Sequence, residues 1–264
     1  MECALMSSCN VQCADRLHEI SECCGFVAVT VRNANEAKTL EGSCAMCNLY
    51  HHSVSAAALK LFAQDLGTPL AAQTAVSNFE ADYVGADADG PVLVIEDGAL
   101  KMRMRRWGFP SWKDGGKPIT NIRNLDSTWW RGANGDYIEK PEYRCLVPFD
   151  RFAEWDSTAK RNAWFEVDAA MAFFAGFWRP WTGERLKAIE GKKRRSREVG
   201  QWELFAFLTT EPNETVAAIH PKAMPAIITT ADQAQEWLSA SADSLNLQRP
   251  LPDNMVTKQE YQDG

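Results

Sequence analysis

Cys47 follows Met46 in the run Met46-Cys47-Asn48-Leu49-Tyr50, which reads as a second start written inside the chain. With Met46 and everything upstream removed, Cys47 carries a free α-amine beside its thiol. Such a 1,2-aminothiol condenses with aldehydes: the amine forms an imine with loss of water, and the thiol adds to the imine to close a five-membered thiazolidine. An internal cysteine cannot do this, because its nitrogen is an amide. Proton transfer suits His220, in Ile219-His220-Pro221-Lys222, because imidazole titrates near neutrality. It also suits Glu154, in Phe152-Ala153-Glu154-Trp155, since large apolar neighbours raise a carboxyl pKa toward useful acid-base values. Asn121, in Thr120-Asn121-Ile122-Arg123, could orient a substrate oxygen, and Arg123 and Arg131 suit bidentate phosphate binding. Each residue alone also fits a bland role. A lone histidine is usually structural, Glu154 fits a strand position facing water, and His51 and His52 compete with His220 for the base role.

The elements that must position these groups read as sheet with a few helices. Ala56, Leu59, Leu61, Phe62 and Leu66 recur at helical spacing, and Gly67-Thr68-Pro69 stops the run. Pro91 to Ile95 predicts a strand, Asp97-Gly98 a hairpin turn and Leu100 to Trp107 its antiparallel partner. Further strands are expected at Cys145 to Phe149, Ala163 to Val167, Met171 to Phe177 and Leu204 to Leu208, with a second helix at Thr230 to Leu238. No βαβ alternation is present, so the fold class is α+β: a single domain built around mixed, mainly antiparallel sheet with a few flanking helices.

Composition narrows the function classes. No run of eighteen apolar residues argues for a membrane span, and no signal peptide opens the 264-residue chain. These features predict a cytoplasmic, reducing location in which clustered cysteines are thiols or metal ligands. Seven of the eight cysteines fall within the first 47 residues. The net charge of −7 speaks against nucleic acid at first, but it is unevenly spread. Lys101 to Arg161 holds 13 Lys/Arg against 8 Asp/Glu, and Glu184 to Arg197 holds 7 against 2. Trp107, Trp112, Trp129, Trp130 and Trp155 interleave with the first of these basic segments. Aromatics beside cations suit stacked bases of a single strand, although most tryptophans in such a chain belong to a core.

The order of the pieces is more specific than any one of them. The Met46-Cys47 start, Arg106-Trp107-Gly108-Phe109-Pro110-Ser111-Trp112, Thr120-Asn121-Ile122-Arg123, Arg144-Cys145-Leu146-Val147-Pro148-Phe149-Asp150-Arg151-Phe152-Ala153-Glu154-Trp155, Phe207-Leu208-Thr209-Thr210 and Ile219-His220-Pro221-Lys222-Ala223-Met224-Pro225 together resemble the SOS-response-associated peptidase (SRAP) family of abasic-site processing proteins. The resemblance runs from Met46 to about residue 252. It implies a domain that binds single-stranded DNA and cross-links an N-terminal cysteine to the open-chain aldehyde of an abasic site, with lyase and self-processing peptidase activity alongside. Carried over, Cys47, Asn121, Glu154 and His220 fall on catalytic positions. Arg123, Arg131, Thr209 and Lys222 fall where the family contacts the DNA backbone, and Trp107 near a residue that props the strand open. The implied partner is single-stranded DNA with abasic sites, a monomer suffices, and no cofactor or metal is implied. The family usually reads Met-Cys-Gly-Arg, so Asn48 and Leu49 replace a glycine and a phosphate-binding arginine; Lys222 replaces an arginine, keeping the charge without the fork.

The chain then divides into a Cys-rich extension at residues 1–45, expected to be unpacked, an SRAP-like domain at 46–252 and a tail at 253–264. Two rival readings remain. Cys47, Asn121 and His220 also make a thiol-peptidase set, and Cys44 with Cys47 forms a CxxC that Cys9, Cys13, Cys23 or Cys24 would complete as a zinc site.

Overall fold

The computed structural model describes residues 49–76, 80–111, 116–188, 195–241 and 243–261. Strand β1 (Leu49–His52) leads into helix α1 (Ala56–Asp65), whose start is fixed by the Ser55 hydroxyl accepting from the Ala58 N–H at 3.1 Å. Leu59, Phe62 and Ala63 form its buried stripe. Helix α2 (Ala72–Val76) and strand β2 (Asp82–Gly85) precede the hairpin of β3 (Asp89–Glu96) and β4 (Ala99–Trp107). Asp97 and Gly98 turn that hairpin with φ of 53° and 71°. Two left-handed residues in a row are what a type I′ turn requires, and Asp-Gly supplies them at low cost.

Next come β5 (Asn121–Ile122), α3 (Thr128–Ala133), α4 (Gly135–Glu139), β6 (Arg144–Phe149), β7 (Arg151–Asp156) and β8 (Arg161–Val167). Two long strands come after them, β9 (Ala172–Ala188) and β10 (Arg195–Thr210), then α5 (Glu214–Ala217), β11 (Met224–Pro225), β12 (Ile227–Ile228), α6 (Ala231–Leu238) and β13 (Val256–Lys258). The larger sheet closes on itself: β10 pairs β4 in parallel, and β4–β3, β3–β6, β6–β9 and β9–β10 are antiparallel, so the ring has no free edge along this path. A second, wholly antiparallel sheet runs β13-β8-β7-β1-β2. The fold is therefore α+β and built around mixed, mainly antiparallel sheet, as its patterning predicts.

Strand alternation sends side chains to two cores. Val92 and Val94 join Tyr50, Val84, Phe152 and Phe165 between the ring and the second sheet, whereas Leu93 joins Leu59, Phe62 and Trp237 under the helices. No helix among the described residues is long and apolar enough to cross a membrane.

Three expectations change. The stretch expected as a tail from residue 253 is packed as far as Tyr261, since Val256 to Lys258 pair with Val167 to Phe165 and Tyr261 donates to Asp156. The strands expected at Met171 to Phe177 and Leu204 to Leu208 are the barrel ends of a much longer ribbon, whose polar outer half has no apolar run to reveal it. The basic balance of Lys101 to Arg161 is partly internal. Arg105 stacks 3.5 Å over Trp178 and pairs with Glu96 and Glu203; Arg106 pairs with Asp87; Arg144 donates to the Ile138 carbonyl and lies 4.0 Å over Trp237. Burial pulls the Arg144 guanidinium down to about 10. The extension at residues 1–45, with its CxxC, lies outside the described residues.

Candidate active site

Asn121 and Arg123 are carried by the shortest of strands. Strand β5 pairs in parallel with β10 through Asn121 opposite Phe207 and Ile122 opposite Leu208, and two residues of ladder hold little by themselves. The chain reaches β5 from β4 through Gly108, whose φ of 129° is open to glycine alone and where a Cβ would sit 2.5 Å from the Pro118 Cβ. Three carbonyls around β5 are then tied down. Trp107 Nε1 and the Phe207 N–H both donate to the Thr120 carbonyl (3.0 and 3.3 Å), and Thr209 Oγ1 donates to that of Ile122 at 3.5 Å. Gln248 Nε2 donates to that of Arg123 at 2.7 Å. The Asn121 side chain is buried and its Nδ2 donates to Thr120 Oγ1 at 2.9 Å.

Glu154 belongs to β7, where Phe152 and Glu154 face inward and Trp155 faces out. Its residue exposure is 2%, so it is not the solvent-facing strand acid that its sequence also allows. His220 comes after α5 and lies with its Nδ1 3.0 Å from the Ala223 carbonyl and 3.6 Å from Glu154 Oε2. A carbonyl only accepts, so Nδ1 carries a proton, and in the neutral ring Nε2 holds the lone pair. A buried carboxylate facing an imidazole is an arrangement in which a proton can be held or passed, because a buried charge needs a partner. Strand β1 begins at this carboxylate: Leu49 pairs with Ala153, the neighbour of Glu154. Cys47, two residues before Leu49, lies outside the described residues.

The sequence pattern of the family described as SOS response associated peptidase (SRAP) matches residues 46–261. The chain belongs to the SRAP family. No curated protein matches it. Among solved structures, a Bacteroides thetaiotaomicron protein aligns with a TM-score of 0.54 at 20% identity, covering 79% of this chain and 90% of that one. A Bordetella bronchiseptica protein aligns with a TM-score of 0.56 at 15% identity, over 81% and 100%. A phage-related protein from the same organism aligns with a TM-score of 0.55 at 16% identity, over 82% and 95%. At these identities the likeness is one of fold.

Within this SRAP domain the residues proposed to meet DNA divide into two groups. Arg123, Arg131 and Lys222 are exposed, and Arg123 donates to the Lys222 carbonyl, which joins the β5 exit to the His220 loop. Arg131 pairs with Asp126 in solvent, an arrangement of little energetic weight. Trp107 and Thr209 differ. Trp107 is 0% exposed, stacked on Phe207 at 5.1 Å and edge-on to Tyr50 at 5.3 Å, so neither ring face is open to a base. Thr209 is buried with its hydroxyl turned to the Ile122 carbonyl. Both are clamps on β5. Sequence shows a tryptophan among arginines but not which side of the sheet it faces. Trp155, at 43% exposure, is the interleaved tryptophan that faces water; Trp130 is core and Trp112 lies outside the described residues.

Sequence reading missed Gln248 and the Ala223 carbonyl. Gln248 has no local signal, since the carbonyls it serves lie 125 and 39 positions away, and a backbone acceptor has no residue type at all. His51 is engaged by Asp150 at 2.7 Å, and His52 is buried, so among the described residues it is His220 that faces Glu154. Among the described residues no group of three His, Cys, Asp or Glu is placed to hold a metal.

Proposed function

We propose that this SRAP protein binds single-stranded DNA and, once Met46 and anything before it are removed, joins Cys47 to the aldehyde of an abasic site as a thiazolidine. The observation that carries the reading is the buried pair of Glu154 and His220, 3.6 Å apart at the start of the strand that Cys47 precedes. His220, protonated on Nδ1, takes the C1′ hydroxyl proton on Nε2 as the C1′–O4′ bond of the deoxyribose breaks, and returns it to O4′, which leaves as a hydroxyl. The Cys47 amine adds to the freed aldehyde carbon and passes a proton to the Glu154 carboxylate, which returns it to the departing hydroxyl, and water leaves as the imine forms. The thiol then adds across the C=N bond, its proton passing to the ring nitrogen. Asn121 holds the sugar or the Cys47 backbone. Arg123 and Lys222, exposed at the same rim, meet phosphates. An imine that does not close is open to β-elimination, which gives lyase activity, and a monomer is enough for every step.

Intact mass tests this. Protein begun at Met46 is expected to lose that methionine and, with a single-stranded oligonucleotide bearing one abasic site, to gain one oligonucleotide less one water. Cys47→Ala is expected to give no stable adduct while still supporting imine-dependent strand cleavage. No gain in mass despite a confirmed Cys47 terminus would refute the reading and put the thiol-peptidase one in its place.

A further inference from the structure

A two-residue strand cannot fix the backbone beyond its own ends, and the ladder of β5 stops at Ile122, one residue before Arg123. The missing restraint comes from the far end of the domain. Gln248 comes directly after a 3-10 turn, Ser244–Leu247, that is itself anchored, since Ser244 is fully buried and accepts from Arg144 at 3.4 Å. The Gln248 side-chain amide donates to two carbonyls, that of Arg123 at 2.7 Å and that of Thr209 at 2.8 Å. Both N–H bonds of the amide are thereby used, and no other uncharged side chain of that reach offers two donors on one atom. The Gln248 carbonyl in turn accepts from Thr210 Oγ1 at 3.4 Å. Beyond Arg123 the connection continues through its guanidinium to the Lys222 carbonyl, two residues from His220.

We propose that Gln248 is a positioning residue of the site: it sets the backbone at Arg123 and Thr209, and so aims the Arg123 guanidinium at its phosphate and holds the His220 loop in register. This rests on the single-stranded DNA reading above. Gln248 touches no reacting atom; it acts through Arg123. A methionine has the same length and no donor, so Gln248→Met removes the restraint with little change of volume.

The test is binding of an unmodified single-stranded oligonucleotide across a salt series, for protein begun at Met46. Wild type, Gln248→Met, Arg123→Gln and the double variant are compared, with a melting curve for each. One phosphate contact contributes about 0.7 to the slope of log affinity against log salt on a single strand. Gln248→Met is expected to flatten the slope by about that amount, as Arg123→Gln does, and the double variant to match either single one, since both remove the same contact. Thr210→Val loosens the same turn while leaving both Gln248 donors in place, and is expected to keep the wild-type slope. Gln248→Ser, too short to reach either carbonyl, reads the same way should the methionine variant not fold. A wild-type slope in Gln248→Met, additive effects in the double variant, or a flattened slope in Thr210→Val each overturns the positioning role. Absence of any wild-type binding overturns the DNA reading, and this inference with it.

Discussion

Replacing Trp107 by phenylalanine separates a clamp from a DNA contact. The indole is fully buried among Tyr50, Phe205 and Phe207, and its Nε1 donates to the Thr120 carbonyl at 3.0 Å. Losing that hydrogen bond costs about 1 kcal/mol, softened because the Phe207 N–H still serves the same carbonyl. The vacated indole volume in a packed aromatic cluster adds about 1–3 kcal/mol. The total is roughly 3 kcal/mol, which at about 2–4 °C per kcal/mol for a domain of this size lowers Tm by roughly 6–12 °C. Calorimetry measures that shift, and oligonucleotide binding well below the new Tm measures the rest. There the variant is expected to bind an intact single strand nearly as wild type does, since no ring face is exposed to be lost. A melting point lowered by less than about 2 °C together with lost DNA affinity would refute the assignment and return the ring to the surface.

Neighbouring groups give further expected outcomes. Glu154→Gln is expected to slow cross-linking by about 10²–10⁴-fold, the usual share of a general acid, in a single-turnover assay, with oligonucleotide affinity unchanged. Burial pushes His52 below its ordinary 6.5, His51 adds to the depression, and Asp150 and Asp82 oppose it. Between the depressed folded value and 6.5 the unfolded chain holds more protons, so stability falls as pH drops through that window. Melting curves across it should show His52→Gln less sensitive to acid than wild type. Cys145 is buried and desolvation pushes its thiol up to about 12, so iodoacetamide labelling with peptide mapping should leave it unlabelled in the native protein and label it on unfolding.

Most of the features legible in the sequence were local. The Asp97-Gly98 turn is specified by the two residues that occupy it, and α1 by its apolar spacing and the Gly67-Thr68-Pro69 stop. The SRAP resemblance rested on ordered short runs, and the structure brings Glu154 against His220 and Arg123 against Lys222 across long sequence separations. Features that stayed hidden depended on partners. Whether Arg105 or Arg106 faces solvent is decided by where Glu203 and Asp87 come to rest. Strand alternation alone does not say which face of β4 is covered, so the pattern leaves open whether Trp107 among arginines meets a base or the core. The polar outer half of the β9–β10 ribbon is held by cross-strand pairing, which leaves no apolar period to read.

Ring closure has a consequence for how the protein is made. The seam is the parallel pairing of β4 with β10, where Arg105 meets Glu203, 98 positions later. At about 5–20 residues per second of synthesis, the β4 edge waits roughly 5–20 s for its partner to leave the ribosome. During that interval a strand with unpaired backbone N–H and C=O groups is open to other nascent chains. His220 is made later still, so the proton-handling pair with Glu154 comes into being only when nearly the whole domain exists. A ribosome-bound chain stalled before β10 would hold neither the barrel nor the pair, so the site exists only once translation is almost complete.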